Sequence, residues 1–201
     1  MTRVKICGIT RPQDVDACVE AGAHFAGFNL WRGSRRYVEA HAAAKLVLRL
    51  GPTVIPVGVF VDGEPDALVC AQVAGVAWVQ IHATAAAWTN DRIVRPVVRA
   101  LSVDRALAAA DLTHADYWIL DRPQSGHGGG GRRFDWSLAE GLAGHARVFV
   151  AGGLDPDNVG DVVRKLKPYA VDVASGVESA PGIKDPARIR AFMQAVEEAS
   201  K

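Results

Sequence analysis

The sequence has no surplus of charge of either sign: 23 lysines and arginines stand against 22 aspartates and glutamates, a formal net charge of +1. Nucleic-acid binders usually carry a basic excess, so nucleic acid is not an expected partner. Long hydrophobic runs are missing too. No stretch reaches the ~18 apolar residues of a membrane span, so no membrane is expected either. The first residues, Met1 to Ile6, run straight into strand-like sequence without the layout of a signal peptide. Cysteine is scarce, three in 201 residues, an odd number that builds no disulfide framework and suits a reducing compartment. The six histidines are scattered without metal-ligand spacing, and no metal is expected. What remains is 49% hydrophobic and 22% charged residues, ordinary globular material that can fill a sizeable core. The expectation is a cytoplasmic protein with one domain over residues 1–201.

Short β-branched or apolar runs alternate with longer Ala-rich stretches of helical period. The pattern predicts strands at 3–7, 25–30, 54–61, 77–81, 96–100, 117–121, 147–151 and 170–174. Helices are expected at 12–21, 39–50, 64–74, 84–92, 103–110, 136–142, 156–167 and 186–199. Gly22, Gly51 and Gly75 each follow an apolar-periodic segment, where a helix end favours glycine. Pro12, Pro156 and Pro186 stand near helix starts, where a missing N–H costs nothing. Strand followed by helix, repeated, means a parallel sheet covered by helices. An open doubly wound sheet and a closed (β/α)8 TIM barrel both satisfy that pattern, and eight strands favour the barrel, although 201 residues is near its lower limit.

In such a barrel the chemistry sits at the C-terminal ends of the strands. The first strand ends at Cys7-Gly8, the second runs into Arg32-Gly33-Ser34-Arg35-Arg36, and the fourth ends Gln80-Ile81-His82. Asp121 closes the sixth, ahead of a glycine-rich loop over residues 126–131. The seventh ends Ala151-Gly152-Gly153-Leu154 and the eighth runs into Ser175-Gly176-Val177-Glu178. Glycines there let backbone N–H groups approach an anion, which makes Gly152, Gly153, Ser175 and Gly176 candidate phosphate binders; the bland alternative is tight-turn glycines.

These residues resemble a known family. Lys5-Ile6-Cys7-Gly8-Ile9-Thr10, Val57-Gly58-Val59-Phe60, Val79-Gln80-Ile81-His82 and Ile119-Leu120-Asp121 are similar to motifs of phosphoribosylanthranilate isomerases of tryptophan biosynthesis. So are Gly128-Gly129-Gly130-Gly131 with Phe134-Asp135-Trp136, Ala151-Gly152-Gly153-Leu154 with Asn158-Val159, Ser175-Gly176-Val177-Glu178, and Pro181-Gly182-Ile183-Lys184-Asp185. The motifs are in order and span nearly the whole chain. The resemblance implies a cofactor-free Amadori rearrangement of N-(5-phosphoribosyl)anthranilate to its 1-deoxyribulose 5-phosphate isomer, by a monomer or homodimer. It implies Asp121 as general acid, Cys7 as general base and Arg36 as partner of the substrate carboxylate, with His82, Gly129 and Gly131 against the substrate. The chain departs from the family pattern at Ser34-Arg35-Arg36, where many relatives have Ser-Pro-Arg, at Ala83 and at Gly130.

Physical chemistry is compatible with these roles. To give up a proton Asp121 must hold one, so its pKa should rise above ~3.9 among apolar neighbours. Cys7 must become a thiolate, which nearby cations favour; its bland reading is a buried small hydrophobe, the reading kept for Cys18 and Cys70. Arg32, Arg35 and Arg36 cluster in one loop, as solvated charges or as anion binders. His82 reads equally as structural or as pocket-lining. A related phosphosugar isomerase or epimerase on the same barrel would commonly place an aspartate at Cys7, and a barrel that only binds a phosphorylated ligand would not need both Cys7 and Asp121. Strand alternation predicts one more feature. Lys5, two residues before Cys7, points inward beneath it, and Asp172 on the eighth strand faces it across barrel closure, so a buried ion pair, direct or through one water, is expected. The alternative, where a bulge breaks the alternation, is an Asp172 turned outward toward a helix N-terminus.

Overall fold

The β-branched and apolar runs form eight parallel strands: β1 (Arg3–Cys7), β2 (Phe25–Asn29), β3 (Ile55–Val61), β4 (Trp78–His82), β5 (Val97–Ser102), β6 (Tyr117–Asp121), β7 (Val148–Val150) and β8 (Ala170–Val173). They pair in sequence order and close where β8 meets β1, Arg3 opposite Ala170 and Lys5 opposite Asp172. The closed barrel is therefore the correct alternative, and the open sheet is excluded. This computed structural model describes residues 1–61, 67–82, 95–112, 115–121 and 135–201.

Outside the strands lie α1 (Pro12–Glu20), α2 (Ala40–Arg49), α3 (Ala67–Val73), α4 (Val159–Leu166) and α5 (Pro186–Ala199). Pro12 and Pro186 open α1 and α5 as expected, and Asp185 caps α5 by accepting from the amides of Ala187 and Arg188. Gly22, Gly51 and Gly75 follow their helices with φ of 73°, 67° and 67°, the left-handed geometry that closes a helix end.

Several expected helices need correction. Residues 103–110 form no α-helix, only a 3₁₀ turn at Ala109–Asp111. The Val103 amide is taken by the Asp121 carbonyl and the Leu107 amide by the Leu138 carbonyl, so long-range bonds replace the helical ones. Trp136–Leu142 has the expected bounds but is 3₁₀, tied to the same strap; a Cβ on Gly141 would overlap the Leu107 carbonyl. The helix expected from 156 starts at Val159, because the Asp155 side chain accepts from the amides of Asp157 and Asn158 and turns the chain first. The helix expected at 84–92 and the start of the one at 64–74 lie outside the described residues. An unexpected antiparallel hairpin, β9 (Glu178–Ala180) and β10 (Ile183–Lys184), follows β8.

One apolar layer fills the space between strands and helices, with Val4, Ile6, Phe28, Phe60, Val171 and Phe192 buried in it. A second fills the barrel, where Phe25, Val57, Val98, Ile119, Phe149 and Ala170 meet Trp78, Tyr117 and Tyr169. Phe25 and Phe149 pack edge to face with centroids 5.4 Å apart, and Trp78 and Tyr117 pack tilted by 33° at 4.6 Å. This aromatic floor closes the N-terminal end. Toward the strand C-termini the inner residues shrink to Gly27, Cys7, Ala100 and Ala151, and the barrel opens.

Candidate active site

Cys7 is the last residue of β1, in register with Gly27 of β2. A Cβ on Gly27 would stand 2.8 Å from Cys7 Sγ and 3.2 Å from Lys5 Nζ, so the glycine leaves room for both groups on the inner face. Beneath the thiol the expected ion pair is present. Lys5 Nζ donates to Asp172 Oδ1 at 2.8 Å, with the two side chains 1% and 9% exposed. The Cys7 sulphur borders the same space beside Gly27, near enough for the two groups to act on one another by charge. Burial alone lowers the Lys5 pKa, but Asp172 and Cys7 outweigh it, and the net shift is upward.

Of the three clustered arginines, Arg32 and Arg35 are exposed, whereas only 12% of the Arg36 side chain is. The Ser34 hydroxyl accepts from the Arg36 amide, and the Ser34 carbonyl from the Tyr37 amide. This turn forms without the family's proline and sends Arg36 across the end of β1. Gly8, at φ 80°, has no Cβ to block it; one placed there would overlap Arg36 Cδ. Arg36 then donates through Nε and Nη2 to both oxygens of Glu178, at 2.8 and 2.7 Å. Glu178 also accepts from Lys184 Nζ at 2.8 Å, and Lys184 donates to the Ala174 carbonyl at 3.0 Å. Glu178 and Lys184 are 4% and 0% exposed. Burial acts to raise the Glu178 carboxyl, but Arg36 and Lys184 hold it below the ordinary 4.5. Burial pushes Lys184 below 10.5 despite Glu178.

Among the described residues, four charged groups surround Cys7: Lys5, Asp172, Lys184 and Arg36. The cations expected around it are present, yet the thiol is not lowered. Burial pushes it up from 9.0, Lys5 pulls it down by charge and hydrogen bond, Asp172 adds to the rise, and Lys184 opposes it.

Asp121 ends β6 in register with Ser102 of β5. β6 lies three strands from β1 counted through β7 and β8, so Cys7 and Asp121 approach the mouth from different sides. His82 ends β4, and its Nε2 lies 2.8 Å from the amide nitrogen of Gln80. Trp78 of the same strand belongs to the barrel interior, so alternation turns His82 toward the mouth.

The loops after β7 and β8 converge. Gly152 and Gly153 have φ of 83° and 68°, and a Cβ on Gly176 would overlap the Leu154 carbonyl. The Asn158 side chain holds the first loop by accepting from the Asp155 amide and donating to the Gly153 carbonyl. Ser175 and Gly176 open a 3₁₀ turn directly after β8. The four candidate phosphate binders thus lie side by side, whereas Gly129 and Gly131 lie outside the described residues. Sequence reasoning quoted Glu178 and Lys184 inside motifs but gave them no role, because only the hairpin brings the two together. Two cavities of about 380 and 530 Å³ open elsewhere, lined by Met1, Thr2, His24 and Arg190, and by Gly144, Lys167, Tyr169 and Lys201. They lie by the strand N-termini, the end of this fold associated with stability rather than catalysis.

Fold and mouth together define a (β/α)8 barrel with acid–base groups at the C-terminal ends of its strands. Residues 4–195 match the family described as N-(5'phosphoribosyl)anthranilate (PRA) isomerase. The N-(5'-phosphoribosyl)anthranilate isomerase of Citrifermentans bemidjiense is 44% identical over 196 residues, 94% of each chain. The crystal structure of the Thermus thermophilus phosphoribosyl anthranilate isomerase aligns with a TM-score of 0.89 at 35% identity, covering 98% of this chain and 99% of that one. A PRA isomerase solved in complex with reduced 1-(o-carboxyphenylamino)-1-deoxyribulose 5-phosphate aligns at 0.82 with 34% identity, covering 98% and 100%. The chain belongs to the PRA isomerase family.

Proposed function

We propose that this chain converts N-(5'-phosphoribosyl)anthranilate to 1-(2-carboxyphenylamino)-1-deoxyribulose 5-phosphate, in the cytoplasm, as a monomer or homodimer and without a cofactor. The observation that carries the reading is Cys7 at the mouth, ringed by Lys5, Lys184 and Arg36, in a chain of this family. Asp121, as the carboxylic acid, gives its proton to the furanose ring oxygen. The C1–O bond breaks with its electron pair going to oxygen, and the anthranilate nitrogen forms C1=N. Cys7, as thiolate, then takes the C2 proton; the C2–H pair forms C1=C2 and the imine pair returns to nitrogen. The enolamine tautomerises to the ketone. Transfer of a proton from the Cys7 thiol to the Asp121 carboxylate, through solvent, resets the enzyme.

Arg36 presents its remaining N–H groups to the substrate carboxylate, since Nε and Nη2 already engage Glu178. The paired loops with Gly152, Gly153, Ser175 and Gly176 receive the phosphate on backbone amides, and His82, Gly129 and Gly131 line the substrate. Freshly generated phosphoribosylanthranilate tests the proposal. Turnover should extinguish anthranilate fluorescence in proportion to enzyme, and absence of turnover by well-folded protein refutes it. In a ligand complex, the phosphate should contact amides of both glycine loops; a phosphate held only by arginine side chains would remove that assignment.

A further inference from the structure

Lys5 is fully buried, carries a charge, and has no place in the acid–base scheme above. Its ammonium donates to Asp172 Oδ1 and borders, with Cys7 Sγ, the space left open by Gly27. Burying a lysine is costly, and an apolar pair of similar volume would fill this part of the barrel without that cost. We infer that Lys5 is the hydrogen-bonding counter-ion of the Cys7 thiolate and that Asp172 is a positioning residue, fixing the ammonium directly beneath the sulphur. The inference rests on the reading of Cys7 as the base.

Geometry supports the assignment. Lys5 and Cys7 lie on one face of one strand, two residues apart, so the ammonium needs no loop movement to reach the sulphur. The backbone register sets Asp172 opposite Lys5 across the β1–β8 closure. Gly27 leaves the space in which Nζ and Sγ meet. The other charges facing the thiol are Lys184 from β10 and Arg36 from the loop after β2, and both are occupied by Glu178. Asp172 holds Lys5 but also opposes thiolate formation by its own charge. The nearer charge of Lys5 acts on the sulphur more strongly than that of Asp172, so the pair as a whole favours the thiolate.

The functional consequence follows from the proton count. The productive enzyme carries one proton, on Asp121 and not on Cys7. Each pH unit by which Lys5 lowers the thiol makes the productive form ~10-fold more abundant.

The Lys5→Met/Asp172→Asn double variant removes both charges and leaves no lone buried ion. Cys7 titration is read from the pH dependence of its iodoacetamide alkylation, resolved by mass spectrometry from Cys18 and Cys70. The midpoint should rise by at least about one unit and kcat/KM should fall by the matching factor, ~10-fold or more. Affinity for the reduced product analogue should stay within about threefold, because neither residue is placed against the substrate. An unchanged midpoint overturns the inference, whatever happens to activity. If the double variant does not fold, the unaltered protein still decides: the assigned Lys5 ammonium NMR signal should shift at the Cys7 midpoint and lose that transition in Cys7→Ala. A Lys5 signal blind to Cys7 ionisation also overturns it. Full turnover by Cys7→Ala would instead refute the proposed base, a separate failure.

Discussion

At Cys7 burial and charge oppose each other, and burial prevails: the thiol sits above its ordinary 9.0 even with Lys5 and Lys184 beside it. This shapes the pH profile. The productive form, Cys7 ionised and Asp121 protonated, is a constant share of enzyme holding one proton, so kcat/KM should be flat between the two pKa values of the pair. Its alkaline limb should fall only above the ordinary thiol value of 9.0; a limb centred near neutrality would show that the free enzyme lowers the thiol instead. Cys7→Ala and Asp121→Asn should each reduce kcat by ~10²-fold or more, the usual scale for an acid or base, with product-analogue affinity little changed. Near-normal turnover in either variant removes that residue from its role. Cys18 differs from Cys7 in having no hydrogen-bonded cation. Buried in α1, its thiol is pushed up to about 12, and Cys18→Ala should leave kcat and KM unchanged.

Among the described elements, the β9–β10 hairpin brings charge to the mouth. It supplies Glu178 and Lys184, which with Arg36 form a buried group of two cations and one anion. The surplus positive charge suits an anionic substrate, and Glu178 fixes which edge of the guanidinium remains open. Glu178→Gln keeps the shape but gives up a charge-assisted fork, so Arg36 should lose its fixed orientation. KM should rise ~10-fold with kcat within about threefold, the signature of lost ground-state binding; a fall in kcat at unchanged KM would place Glu178 in the chemistry instead. The β7 and β8 loops make a second prediction. Gly176→Ala drives a methyl into the Leu154 carbonyl, pushing the loops apart, and inorganic phosphate should lose its ability to compete with substrate.

Across the whole molecule, the barrel closes over a buried ion pair where β8 meets β1. Lys5→Met alone strands Asp172 and should cost about 3–5 kcal/mol in denaturant unfolding, the range for breaking a buried pair. The pH dependence of stability has a definite sign for each group. Glu178 is held below 4.5, so its contribution is present above that pH and is lost as pH falls through the folded value. Lys5 is raised above 10.5, so its contribution is complete below that pH and is lost only as pH climbs through the folded value. Lys184 is depressed; its burial opposes folding below its folded pKa, and that penalty fades as pH rises toward 10.5. Melting temperature should therefore decline below about pH 4.5, and Glu178→Gln should flatten that decline.

Local sequence determined a great deal. Two strands, β1 and β6, and helix α5 have the bounds that periodicity and capping predict, because a β-branched run, an Asp-Pro start and an apolar stripe act over a few residues. The Lys5–Asp172 pair was also legible, since alternation along two adjacent strands is fixed once the barrel closes. The family motifs brought Cys7, Asp121 and Arg36 to attention, although spacing alone would have left Cys7 a small hydrophobe. Only tertiary structure decided the rest. Residues 103–110 gave up helix for bonds to distant carbonyls, Arg36 rather than Arg32 or Arg35 turned inward because Glu178 waits 142 positions away, and the balance at Cys7 depends on burial. Hydrogen bonds between remote segments and the desolvation of a charge are set by the packing of the whole barrel, which no local pattern encodes.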